Sequence, residues 1–125
     1  SIIAILMSTA CLTACSPQTE RGYATKPKAV QKAMENCPHK TPSKKVSCGD
    51  LYVIAKRLNL LAYKLRLDQQ AYGKDILSLQ EKITEQRSTL EKHPNQVALQ
   101  RNLKSNEQSL QEHLAVVKWL ASPGR

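Results

Sequence analysis

From Ser47 to the end of the chain, apolar side chains recur at intervals of three and four, the signature of helices with one buried face. Leu51, Ile54, Ala55, Leu58, Leu61, Ala62 and Leu65 make the first stripe. Tyr52, Leu60, Tyr63 and Leu67 widen its apolar face, which predicts that this helix packs on more than one neighbour. Ser47-Cys48-Gly49-Asp50 reads as its capping box, with Ser47 accepting from the helix and Asp50 reaching back. Asp68 is placed to cap a second helix whose stripe runs Tyr72, Ile76, Leu79, Ile83, Gln86, Leu90, a 4-3-4-3-4 spacing. His93-Pro94-Asn95 breaks the pattern, with Pro94 suited to the first turn of a third helix. The third stripe is Leu99, Leu103, Asn106, Leu110, Leu114, Val117 and Ala121, a heptad with one stutter. Two long stripes across a tight break predict an antiparallel coiled-coil-like hairpin. Counting outward from Pro94 sets Gln86 and Asn106 in adjacent layers, within diagonal hydrogen-bonding reach. The predicted fold is all-α, three helices after a disordered N-terminal tether.

Composition agrees with helices. The chain has no Phe, a single Trp and only four glycines, too few turn residues for the regular short strands of a β fold. Its length of 125 residues suits one domain.

The amino terminus has a different pattern. Ile2 to Leu12 is an uncharged apolar run, long enough for the core of a signal peptide and shorter than the roughly 20 residues of a membrane-spanning helix. Leu12-Thr13-Ala14-Cys15 follows directly. This segment resembles the lipobox of bacterial lipoproteins, with Leu three positions before the cysteine and small residues between. Cys11 lacks that leucine, so Cys15 is preferred. The resemblance implies cleavage between Ala14 and Cys15 and a thioether-linked diacylglycerol on Cys15, with an N-acyl chain on the new terminus. At ~0.8 kcal/mol per buried CH₂, two or three chains hold a protein stably where one is marginal. Ser16, and not Asp, follows the cysteine, which by the same resemblance implies the outer membrane, periplasmic face, or the cell membrane of a Gram-positive source. No initiator Met or basic segment precedes the run, so the signal is read as truncated at its start.

The domain plan is then a signal peptide over 1–14, a lipidated cysteine and flexible tether over 15–36, a loop over 37–48 and a helical domain over 47–122. Pro17 and Pro27 and a low apolar content motivate the tether, which is expected to hold the domain some tens of Å off the membrane. Only a short turn at Ala29–Met34 is expected within it. Cys37 and Cys48 remain as a pair in an oxidising compartment, so a disulfide is predicted. A metal site of Cys37, His39 and Cys48 lacks a CxxC pair and a fourth ligand, so none is expected.

Nineteen Lys and Arg against ten Asp and Glu give a net charge of +9. In an exported chain this surplus faces phospholipid headgroups, lipopolysaccharide or cell-wall polymers, and nucleic acid is set aside as a partner. Lys40, Lys44 and Lys45 in the cysteine loop form the densest basic group and a candidate anionic docking point. Val116, Trp119 and Leu120 sit in a run that is apolar around most of the helix, a candidate surface for an envelope protein. No nucleophile, metal or phosphate-loop motif appears; an enzyme is not expected and no cofactor is assigned beyond the lipid on Cys15. The predicted role is a structural or adaptor lipoprotein of an envelope assembly, related to secretion or conjugation. The alternative is an inhibitory or binding lipoprotein: immunity, exclusion or cell-wall binding.

Overall fold

Three long helices follow the three apolar stripes, and two shorter ones precede them where a tether was expected. The computed structural model describes residues 19–122; these form helices α1 (Glu20–Ala24), α2 (Pro27–Glu35), α3 (Cys48–Leu67), α4 (Gln69–Lys92) and α5 (Val97–Ala121). Among the described residues there is no strand. The described residues are all-helical, and five helices stand there where three were predicted.

The tether reading fails over α1 and α2. The Thr19 hydroxyl caps α1 by accepting from the Gly22 amide at 3.1 Å, and the Thr25 hydroxyl closes it by donating to the Gly22 carbonyl at 3.1 Å. Pro27 occupies the first turn of α2, where its missing N–H costs no hydrogen bond. Tyr23, Ala24, Pro27 and Val30 are buried, with Ala33, Met34 and Cys37 packed beside them. The prolines that suggested an extended linker therefore punctuate two short helices with a shared apolar face.

Ser47 and Asp50 form the expected capping box of α3: the Ser47 hydroxyl accepts from the Asp50 amide and the Asp50 carboxylate from the Ser47 amide, both at 3.0 Å. These bonds, the one from the Ser47 backbone foremost, hold the Asp50 carboxyl below its ordinary 3.8. Asp68 ends α3 and caps α4, accepting from the Ala71 amide at 3.0 Å. A single extended residue thus reverses the chain. The reversal from α4 to α5 spans His93 to Gln96, closed by the Gln100 side-chain Nε2 donating to the Pro94 carbonyl at 2.7 Å. Pro94 lies in this loop, not in the first turn of α5, because Gln96 is the N-cap.

The core sits on the inner face of α3, where Leu51, Ile54, Leu58, Leu61 and Ala62 meet Tyr23, Ala24 and Val30 on one side and Tyr72 and Val116 on the other. Arg57 opposite Glu112 and Leu65 near Leu120 set α3 and α5 side by side in the same direction, with α4 antiparallel to both. Asn106 donates to Gln86 at 3.1 Å, as the diagonal pairing predicts. Along α5 the buried positions depart from the predicted stripe. Glu112 and Val116 are buried while Leu114 and Val117 are exposed, because the carboxyl half of α5 turns its face toward α1–α3 as well as α4.

Candidate functional site

Ala14 and Cys15 lie outside the described residues. The predicted disulfide pair lies within them: Cys37 follows α2, Cys48 opens α3, and their sulfurs are at bonding distance with Cα atoms 5.9 Å apart. The loop between them is tied down at several points. Val46 is buried, the Lys40 amide donates to the Asn36 carbonyl at 2.9 Å, and the Tyr23 hydroxyl donates to the Pro42 carbonyl at 3.4 Å. Lys40, Lys44 and Lys45 remain exposed on this fastened loop. Among the described residues no group of His, Cys, Asp or Glu is arranged to hold a metal ion.

The three residues read as a partner surface separate. Val116 is completely buried in the core and cannot meet a partner, because α5 presents it to α1–α3. Trp119 and Leu120 are half-buried and diverge. Leu120 lines a groove of about 510 Å³ with Leu65 and Val117 at the carboxyl ends of α3 and α5. Trp119 forms the wall of a surface groove of about 610 Å³ against the α1–α2 turn, with Thr25, Lys26, Pro27, Ala115 and Lys118. This groove brings an indole and an apolar floor beside three lysines, Lys26, Lys28 and Lys118, from both sides of the groove. It joins segments 90 residues apart in sequence (Ala29 and Trp119), which explains why only its Trp119 side was legible.

A second group of residues was not anticipated. Glu112 is buried to within 5% of complete exclusion, and its carboxylate takes the Arg57 guanidinium at 3.0 Å and 3.4 Å and the Gln108 amide at 3.0 Å. Gln108 also donates to the Arg21 carbonyl at 3.4 Å, linking α1, α3 and α5. Arg21, Arg101 and Lys104 line the cleft of about 430 Å³ above this pair. The arrangement fixes the register of three helices through a charge pair that is half open to water on the arginine side, and it leaves cations around the opening. The sequence signal was present: Glu112 lies one turn before Val116 and so shares its face.

No helix among the described residues is long and apolar enough to cross a membrane. Comparison of the chain with protein-family models, with curated proteins and with solved structures finds no match.

Proposed function

We propose that this chain is a lipid-anchored lipoprotein of the bacterial envelope that serves as a structural or adaptor component, held by acyl chains on Cys15 and meeting an envelope protein through the Trp119 groove. The address rests on Leu12-Thr13-Ala14-Cys15 directly after an apolar run, with a cysteine pair downstream that suits an oxidising compartment. The docking role is carried by one observation. Trp119 is left half-open in a groove floored by Pro27 and Ala115 and rimmed by lysines, where a buried aromatic anchor from a partner with acidic flanks fits the chemistry. The proposed location is the outer membrane, periplasmic face, or the cell membrane of a Gram-positive source.

Two measurements test this. Labelling cells with a palmitate analogue should mark the wild-type chain and not Cys15→Ala; a labelled Cys15→Ala chain, or an unlabelled wild type, overturns the anchor. Crosslinking in intact cells followed by purification should recover a stoichiometric envelope protein, and Trp119→Ala should lose it while remaining folded by circular dichroism. Recovery unchanged by Trp119→Ala removes the groove from the reading.

The binding or inhibitory alternative rests on the lysine loop, which the cysteine pair, Val46 and Tyr23 hold in place while leaving Lys40, Lys44 and Lys45 exposed. Changing these three lysines to Ser should abolish binding to an anionic wall polymer in that case and leave the crosslinked partner unaffected.

A further inference from the structure

Helix α3 is apolar on both sides. Its inner face makes the core, yet Tyr52, Val53, Leu60, Tyr63 and Leu67 stay in water, with exposures from 52% at Leu60 to 70% at Leu67. At 100° per residue these five fall within about 100° of arc, a continuous stripe running the length of the helix. The wide apolar pattern of this helix predicted further neighbours, and the four other helices of the described residues leave this face uncovered.

The polar groups around the stripe have one sign. Lys56 stands within it, its Nζ 5.9 Å from the centre of the Tyr52 ring, and Lys64 and Arg66 flank it. None of the three has a carboxylate partner among the described residues. Asp50, the only acidic residue of α3, is occupied in the cap at its first turn. Apolar and tyrosine side chains flanked by lysine and arginine are the composition of a helix lying in a membrane interface: aliphatic groups enter the acyl boundary, phenols stay at headgroup level, and long cationic side chains reach phosphate.

A second observation is independent of that pattern. Thr19, the N-cap of α1, lies close to Cys15 in sequence. Only Ser16, Pro17 and Gln18 separate it from Cys15, so even a fully extended link spans about 14 Å from Cα to Cα. The Glu20 carboxyl in the first turn of α1 neighbours that of Asp50 in the first turn of α3, so the link leaves the body at the amino-terminal end of α3, the end at which the stripe begins with Tyr52. A body on so short a link cannot stand tens of Å from the lipid.

We infer that the outer face of α3 rests on an anionic phospholipid bilayer, at the boundary of headgroups and acyl chains, beside the lipid on Cys15. This rests on the lipoprotein reading for what brings the body to the bilayer, while the charge and apolar pattern of α3 stand without it. A second copy of the chain is the poorer occupant, because pairing two such faces sets Lys56, Lys64 and Arg66 against themselves in chains that each carry +9.

The test uses the full chain, expressed in a bacterial host and reconstituted into phosphatidylglycerol nanodiscs that contain a gadolinium-chelating lipid. Amide relaxation enhancement should peak at Tyr52, Val53, Leu60, Tyr63 and Leu67. It should exceed that at the equally exposed Leu77 of α4 by more than about tenfold, since the effect falls with the sixth power of distance and a helix is about 10 Å across. Leu60→Glu with Tyr63→Glu, two exposed positions, should flatten the contrast. The same pattern from Cys15→Ala, where the apolar run over 2–12 holds the chain at the bilayer, would support the α3 contact even if acylation of Cys15 failed. Acylated Cys15 with equal enhancement on α3 and α4 would overturn the contact and leave the lipoprotein reading standing. A dimer by light scattering whose α3 face is shielded from the lipid would overturn it too.

Discussion

At Tyr72 a phenol crosses from α4 to α5, donating to the His113 carbonyl at 2.9 Å while the two rings lie 5.1 Å apart. His113 is held from the other side, its Nδ1 2.7 Å from the Ser109 carbonyl, which makes that nitrogen the protonated one. Burial, helped by the charge of Asp75, pushes the Tyr72 hydroxyl up from 10.0 to about 12. The neutral phenol is therefore favoured by folding. Its contribution is complete below pH 10 and is lost as pH rises through about 12, the sign expected of an acid whose folded value is raised. Tyr72→Phe should cost about 1 kcal/mol at pH 8, the worth of one internal hydrogen bond. Urea unfolding of both proteins at pH 8 and pH 11 checks this: the difference should shrink at the higher pH, and an unchanged difference would remove the phenol from the account. The aromatic identity of Tyr72 as a core residue follows from its place on the stripe. Its partner does not, because His113 offers a backbone carbonyl that no side-chain pattern reveals.

Among the elements, α5 serves two masters. Its amino half pairs with α4, where Asn106 meets Gln86 and Arg87 pairs with Glu107. Its carboxyl half rotates Glu112 and Val116 into the space shared with α1 and α3. A heptad reading that assumes one neighbour tracks the first half and then selects Leu114 and Val117, which are exposed. The Gln86–Asn106 bond pins the hairpin register at some cost in stability. Replacing both by Leu should raise unfolding free energy by about 1 kcal/mol and loosen the register. Thermal melts check the first, and extra sets of amide signals from α4 and α5 check the second. The capping devices, by contrast, were local. Ser47–Asp50 and Asp68 each act within four residues, so the sequence around them contains all of the physics.

For the whole molecule, the cysteine pair fastens α2 to the start of α3 and so joins the amino-terminal helices to the three long ones. Closing a loop of about a dozen residues is worth ~3 kcal/mol by chain entropy. Cys37→Ser with Cys48→Ser should lose about that much in urea unfolding and speed amide exchange in α1 and α2 far more than in α4. Equal acceleration throughout would mean that the pair stabilises no particular part. The same amino-terminal helices bring the body close to the proposed anchor, which turns a presumed spacer into a docking element. The sequence by itself determined the helical class, the three long helices, the caps at Ser47 and Asp68 and the cysteine pairing, because each is written in contiguous residues, a single period or a lone pair of thiols. Only the tertiary structure decided that Tyr23, Ala24, Pro27 and Val30 belong to the core, that Val116 is buried, that Glu112 holds Arg57, and that the outer face of α3 is left exposed by the other described helices. These depend on which surfaces meet across the chain, and a short helix with few apolar residues becomes stable only when a longer one is there to cover it.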